Sequence, residues 1–259
     1  MRKFGTTFGF LLGLISIFGA FLIEGGSAKT LFLLPPILIV FGGTFAATII
    51  SVGLDKFLQS FALIYKAYFP VKYDYKKIVS DFFVMSIKSR RDGILSIEKE
   101  LKEIDYMFPR KLVRYVIDGT DTETLENMAF LEIKAMQERH FSNAGIFTKM
   151  GGYAPTMGIL GTVMALIMTL ANAGSDPNIL IKNIASAFIA TLWGVLTANL
   201  FWLPIGDKLK KCHLEEKNMM ELSLEGTMAL QSGEIPSVLK ARMVSLLPQS
   251  EQTEILDFA

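Results

Sequence analysis

Four long stretches of this 259-residue chain contain no Asp, Glu, Lys, Arg or His: residues 4–23, 30–54, 150–175 and 183–206. Ion-coupled membrane machines usually keep an ionisable group inside the membrane, so if these stretches help move an ion, another subunit must supply the carboxylate. The single cysteine, Cys212, excludes an internal disulfide framework. The two histidines, His140 and His213, have no second ligand at metal-binding spacing, and no nucleophile–base pair or phosphate loop is present. These absences argue against an enzyme and against a bound metal or cofactor. A net charge of +1 argues against a nucleic-acid partner.

What the chain does have is strongly segregated. Its hydrophobic fraction is 51%, with 20% charged residues and a mean hydropathy of +0.40. The charges crowd into 55–149 and 207–259, leaving the four apolar runs empty. An α-helix needs about 20 apolar residues to cross a hydrocarbon core of about 30 Å, so 4–23, 30–54, 150–175 and 183–206 read as membrane spans. The basic start Arg2–Lys3 resembles a signal peptide, but the run after it is longer than an h-region and lacks a small-residue cleavage site. It is read as a retained span. The connections 24–29 and 176–182 carry one basic residue each, whereas the N-terminus has Arg2 and Lys3 and the other flanks are rich in Lys and Arg, which puts both termini and 55–149 in the cytoplasm. The expected architecture is an all-α integral membrane protein with four transmembrane helices, a large helical cytoplasmic domain between spans 2 and 3, and a cytoplasmic C-terminal tail.

Glycines 5, 9 and 13 share one face of the first span, and Gly42–Gly43 lie mid-way along the second, positions suited to close helix packing. Pro35 and Pro36 sit near the start of the second span, where a missing N–H costs least. In 55–149, Ile94, Ile97, Leu101 and Ile104 recur at helical spacing, predicting an amphipathic helix. Around them, 89–100 carries both signs of charge, either a solvated face with pairs such as Glu98–Lys102 or a docking surface that steers a partner. Pro109 interrupts, Asp118–Gly119 turns, and Thr120 with Glu123 reads as a capping box for a helix continuing toward the third span. Helical pattern in the tail extends to about Leu230, and loose order is expected from Pro248.

In the last two spans, Pro155, Thr162 and Thr169 are spaced by seven, while Asn183, Ala187, Ala190, Thr191, Gly194 and Ala198 form a small, weakly polar stripe. Such residues either glue helices together or line a narrow path in which hydroxyls replace an ion's water.

The runs Gly152–Val163 and Ala187–Gly194, with Pro204, resemble the paired spans of the MotA family of flagellar stator subunits. Residues 90–98, from Arg90 to Glu98, resemble that family's cytoplasmic motif, and Asp118–Gly119 and Glu138–His140 fit as well. The resemblance covers nearly the whole chain. It implies a ring, five copies around two of a MotB-like partner whose aspartate binds the coupling ion. It further implies that Thr191 lines the ion path, that Pro155 and Pro204 serve conformational coupling, and that Arg90, Arg91 and Glu98 engage a FliG-like rotor switch protein. The transported ion would be a proton or sodium. Thr162 favours sodium, since proton-type relatives tend to carry alanine there. Ala165 departs from the family's usual glycine. The alternatives are a TolQ/ExbB-like channel subunit energising the cell envelope, which resembles a three-span chain without the long 55–149 loop, and a membrane scaffold without ion flux.

Overall fold

The computed structural model describes residues 5–172, 174, 176–249 and 251–252. Phe4, which began the first expected span, the basic Arg2 and Lys3 before it, Ala173 and Ser175 at the end of the third, and residues 250 and 253–259 of the tail lie outside the described residues. Every regular element among the described residues is helical, and the chain divides into two compact units, Met1–Val71 with His140–Cys212 and Lys72–Arg139 with His213–Ala259.

In the first unit, α1 (Gly5–Ile23) is followed by the short α2 (Ala28–Leu31). Helix α3 (Leu34–Val52) starts with Pro35 and Pro36 in its first turn, where the missing N–H groups have no intrahelical acceptor anyway. It widens into a π-turn over Leu38–Gly42 and ends at Gly53, whose φ of +85° only glycine adopts without strain. Helix α4 (Leu54–Tyr68) follows at once. Two much longer helices, α7 (Thr122–Ala171) and α8 (Pro177–Gln231), contribute to both units.

Helices α3, α7 and α8 are long and apolar enough to cross a membrane. Helix α1, at 19 residues, is about 28 Å long at 1.5 Å per residue. Side chains along these segments invert the usual burial pattern: Ile15, Ile167 and Phe188 are all more than half exposed. Such a surface suits lipid, where only the backbone must be satisfied internally. Helix α8 begins at Pro177 with Asp176 as its cap, the carboxylate accepting from the Asn178 N–H at 2.9 Å. Lys182, expected in a polar connection, is therefore already helical. A second π-turn spans Ala198–Trp202, just before Pro204. A proline there withholds the N–H that Leu200 would otherwise receive, and a π-turn absorbs the change of register. The interior of this unit is built on Phe57, Phe147, Met150, Ala154 and Trp202.

In the second unit, α5 (Tyr75–Asp92) is capped by Asp74, which accepts from the Lys77 N–H at 3.0 Å, and ends at Gly93 with φ +85°. The amphipathic α-helix expected over Ile94–Ile104 is instead a 3₁₀ helix, Ile94–Lys102. The Gly93 carbonyl takes both the Ser96 N–H (3.1 Å) and the Ser96 hydroxyl (2.6 Å), a competition that tightens the turn. Ile97, Leu101 and Ile104 nevertheless reach the core. Pro109 sits in the first turn of α6 (Met107–Ile117) and so opens a helix where an interruption was expected. That helix closes with Gly119 (φ +80°) in a Schellman turn, Thr120 N–H to Tyr115 O and Gly119 N–H to Val116 O. Thr120 is thereby engaged, and the cap of α7 is Asp121, which accepts from the Thr124 N–H at 2.9 Å. This backbone bond holds the Asp121 carboxyl below its usual pKa.

Helix α9 (Pro236–Ser245) packs on α5. Arg242 ties it down by pairing with Glu225 and Glu234, each at 2.7 Å. The tail expected to loosen from Pro248 is helical at Gln249, Glu251 and Gln252. Buried Leu247 anchors that turn.

Candidate functional site

Two features of the first unit create its polar centre. Helices α7 and α8 cross backbone to backbone: a Cβ on Gly158 would lie 2.9 Å from the Ala190 carbonyl oxygen, and one on Gly194 would lie 2.7 Å from the Ala154 oxygen. At this crossing the Thr162 and Thr191 hydroxyls are 2.6 Å apart. Thr162 Oγ1 is also 3.1 Å from both the Gly158 and the Ala187 carbonyl oxygens. One half-buried point between the uncharged stretches of two helices thus gathers two hydroxyls and two carbonyls. Oxygens of this kind can replace part of a cation's hydration shell, but they cannot neutralise its charge.

The other polar side chains of these two runs behave differently. Thr169 donates to its own helix at Ala165 O (2.8 Å), Asn199 Nδ2 donates to Val195 O (2.8 Å), and Thr197 donates back to Trp193 O (2.7 Å). Asn183 buries its Nδ2 without a hydrogen-bond partner. Pro155 lies inside α7, half-buried, and the Cβ of a residue at Gly194 would meet its Cα at 3.2 Å. Pro204 is exposed beyond the π-turn of α8.

Trp193 was noticed in the sequence only as part of a motif. Its Nε1 donates to Leu31 O at 2.8 Å, with the Phe18, Phe32 and Phe41 rings 5.5–6.4 Å away. The break between α2 and α3 strands carbonyls that have no helical partner, and this indole satisfies one of them. The Pro35–Pro36 pair was the available signal that such a break exists.

In the second unit, the three expected docking residues differ in their freedom. Arg90, in the last turn of α5, is exposed and makes one long contact with Gly233 O (3.4 Å). Arg91 is engaged with Asp92 through Nε (3.0 Å) and Nη2 (2.7 Å), which holds the Asp92 carboxyl below its usual pKa. Glu98 is exposed on the 3₁₀ helix and has no ion pair among the described residues. The Glu98–Lys102 pair, natural on an α-helix, does not form on the tighter 3₁₀ turn. The segment is held by Lys88 and Glu100, whose ion pair lowers the Glu100 pKa.

Residues 99–222 match the MotA/TolQ/ExbB proton channel family. The chain is 34% identical over 241 residues to Motility protein A of Treponema pallidum, covering 93% of this chain and 92% of that one. Among solved structures it is similar to the flagellar MotAB stator complex of Bacillus subtilis, with a TM-score of 0.87, 28% identity and 96% and 98% of the two chains covered. It also shares its fold with C. jejuni MotAB at a TM-score of 0.88 and 23% identity, over 95% and 96% of the two chains. A match over nearly the full length of both chains takes in the segment before residue 99 as well as the two threonine-bearing helices. The chain belongs to the MotA/TolQ/ExbB proton channel family, on its Motility protein A side.

Proposed function

We infer that this chain is an ion-conducting stator subunit of the bacterial flagellar motor, working with a MotB-like partner in the inner membrane. The observation that carries this reading is the contact between Thr162 and Thr191 within two runs, 150–175 and 183–206, that hold no carboxylate. Polar oxygens are present where an ion could pass, but the charge that must attract it is not. A partner aspartate facing Thr191 completes the site. Ion arrival neutralises that aspartate, which leaves one subunit and settles against the next, and repetition turns the ring. The chain spans the membrane four times with both termini in the cytoplasm, and it assembles as a pentamer.

The Gly158–Gly194 crossing beside Pro155 supports a role for Pro155 in coupling, because a backbone in direct contact transmits small displacements. The π-turn before Pro204 supplies a second deformable point. Arg90 and Glu98, exposed and without ion pairs among the described residues, are the charges that meet a FliG-like rotor protein, with Arg91 in a lesser role because Asp92 holds it. Thr162 supports sodium as the coupling ion.

Ion flux into vesicles carrying the chain with and without its MotB-like partner tests the division of labour. Flux by this chain alone would overturn it. Swimming speed against external sodium at fixed proton-motive force tests the ion, and a flat response would dismiss the role given to Thr162.

A further inference from the structure

Beside Pro204 the first unit contains an open cleft of about 240 Å³, lined by Gly5, Gly9, Tyr68, Asn199, Pro204 and Lys208 among others, with the Phe10 and Phe201 rings 6.3 Å apart on its apolar wall. This is a little below the about 300–1,000 Å³ of pockets that enclose a whole ligand, a size that suits partial seating of a larger molecule along an open groove. No helix among the described residues fills it: a side chain added at Gly5 or Gly9 would meet nothing described within 4 Å, whereas Gly13, one turn further on, packs against Leu200. The glycine stripe of α1, expected to serve helix packing along its length, does so at Gly13 and lines open space at Gly5 and Gly9.

The cleft is chemically two-ended. Lys208 is the only charged residue in its lining, and it makes no ion pair or hydrogen bond among the described residues. Nearby Lys210, by contrast, pairs with Asp207. Tyr68, at the end of α4, presents a partly buried hydroxyl that likewise lacks a hydrogen bond among the described residues. Apart from Asn199, whose amide is turned to Val195 O, the rest of the wall is apolar. Asp207 and Lys208 follow the uncharged run that ends at Gly206, so the polar end of the cleft stands where apolar chain gives way to charge.

We propose that this cleft binds one anionic glycerophospholipid of the inner leaflet, its phosphate on Lys208 and Tyr68 and an acyl chain along the Gly5–Gly9 face of α1. Basic pockets between membrane helices on the cytoplasmic side recognise anionic headgroups in this way. The inference rests on the membrane placement given above, but requires neither the ion path nor the rotor contact. Because Pro204 lines the same cleft, the bound lipid touches the second coupling proline.

The test is native mass spectrometry of the full chain with its partner, extracted from nanodiscs of mixed phosphatidylcholine and phosphatidylglycerol. The wild type retains phosphatidylglycerol preferentially. Lys208→Gln lowers that preference about five-fold, the factor for one basic residue at an anionic surface. Gly9→Leu fills the cleft and abolishes retention, while Lys211→Gln, outside the lining, leaves it unchanged. The same spectra report subunit assembly, so a failure to assemble is distinguished from a loss of lipid. Equal losses with Lys208→Gln and Lys211→Gln would reduce the effect to general surface charge and overturn the proposal. So would retention that survives Gly9→Leu, or a Gly9→Leu variant that loses only its oligomeric state, which would make the cleft an interface between copies.

Discussion

Replacing Gly194 by alanine adds one methyl group to the place where α7 and α8 touch. Its Cβ would stand 2.7 Å from the Ala154 oxygen, 3.1 Å from the Gly158 Cα and 3.2 Å from the Pro155 Cα. All three are backbone atoms, so no rotamer change relieves the contact. Ordinary carbon contacts begin at about 3.5 Å, and the helices must therefore part by roughly half an ångström or more. Overpacking of this kind costs about 1–3 kcal/mol. The functional cost is sharper, because Thr162 and Thr191 span the same crossing at 2.6 Å, and a shift of that size takes their hydroxyls to the edge of hydrogen-bonding range, about 3 Å. The expected result is a complex that assembles, melts at lower temperature and conducts poorly. Gly152→Ala is the control, since its Cβ meets nothing within 4 Å and it lies on α7, the helix that Gly194 faces. Thermal unfolding and vesicle flux, measured side by side, read both effects. If Gly194→Ala conducts and melts like Gly152→Ala, the backbone crossing does not set the geometry of the threonine pair.

Other outcomes follow from single contacts. Trp193→Phe keeps the aromatic packing but strands Leu31 O, and should lower stability by about 1–3 kcal/mol in thermal unfolding. Asp121→Ala removes the cap of α7, at a cost of about 1 kcal/mol that Asp121→Asn largely restores. Glu100 has a pKa below its usual 4.5 because Lys88 pairs with it. A lowered folded value means its stabilisation is complete above pH 4.5 and is lost as pH falls through the folded value, so acid unfolding of Glu100→Gln should lack that part of the pH dependence. Reversing Arg90 or Glu98 should impair swimming and be rescued by a reversed charge on the rotor, whereas reversing Arg91 should cost less because Asp92 already holds it. Unchanged motility after reversing both Arg90 and Glu98 would dismiss the docking role.

Much of the fold was legible because the bilayer imposes a simple rule: charge is excluded over lengths near 20 residues. The uncharged runs at 30–54, 150–175 and 183–206 each share most of their described length with a helix long and apolar enough to cross. The stretch Leu125–Phe147 read as one helix approaching the third span, and α7 is indeed unbroken from Thr122 to Ala171. Where backbone and side chain compete locally, pattern misled. The spacing of Ile94, Ile97, Leu101 and Ile104 suits an α-helix, yet the Ser96 hydroxyl selects a 3₁₀ turn. Thr120 looks like a cap, yet the Schellman turn after Ile117 claims it and leaves the role to Asp121.

For the candidate site, sequence singled out Thr162 and Thr191 as polar residues in apolar surroundings, and spacing put each on a helix face. Nothing in a one-dimensional pattern says which faces meet. Only tertiary structure brought those two hydroxyls to 2.6 Å, turned Thr169 and Asn199 back onto their own helices, and left the Lys208 cleft open. The physical reason is that sequence periodicity encodes how far a side chain is from water or lipid, a property of one helix. Contact distance is a property of two, and here it depends on glycines at 158 and 194 whose significance is the absence of a side chain.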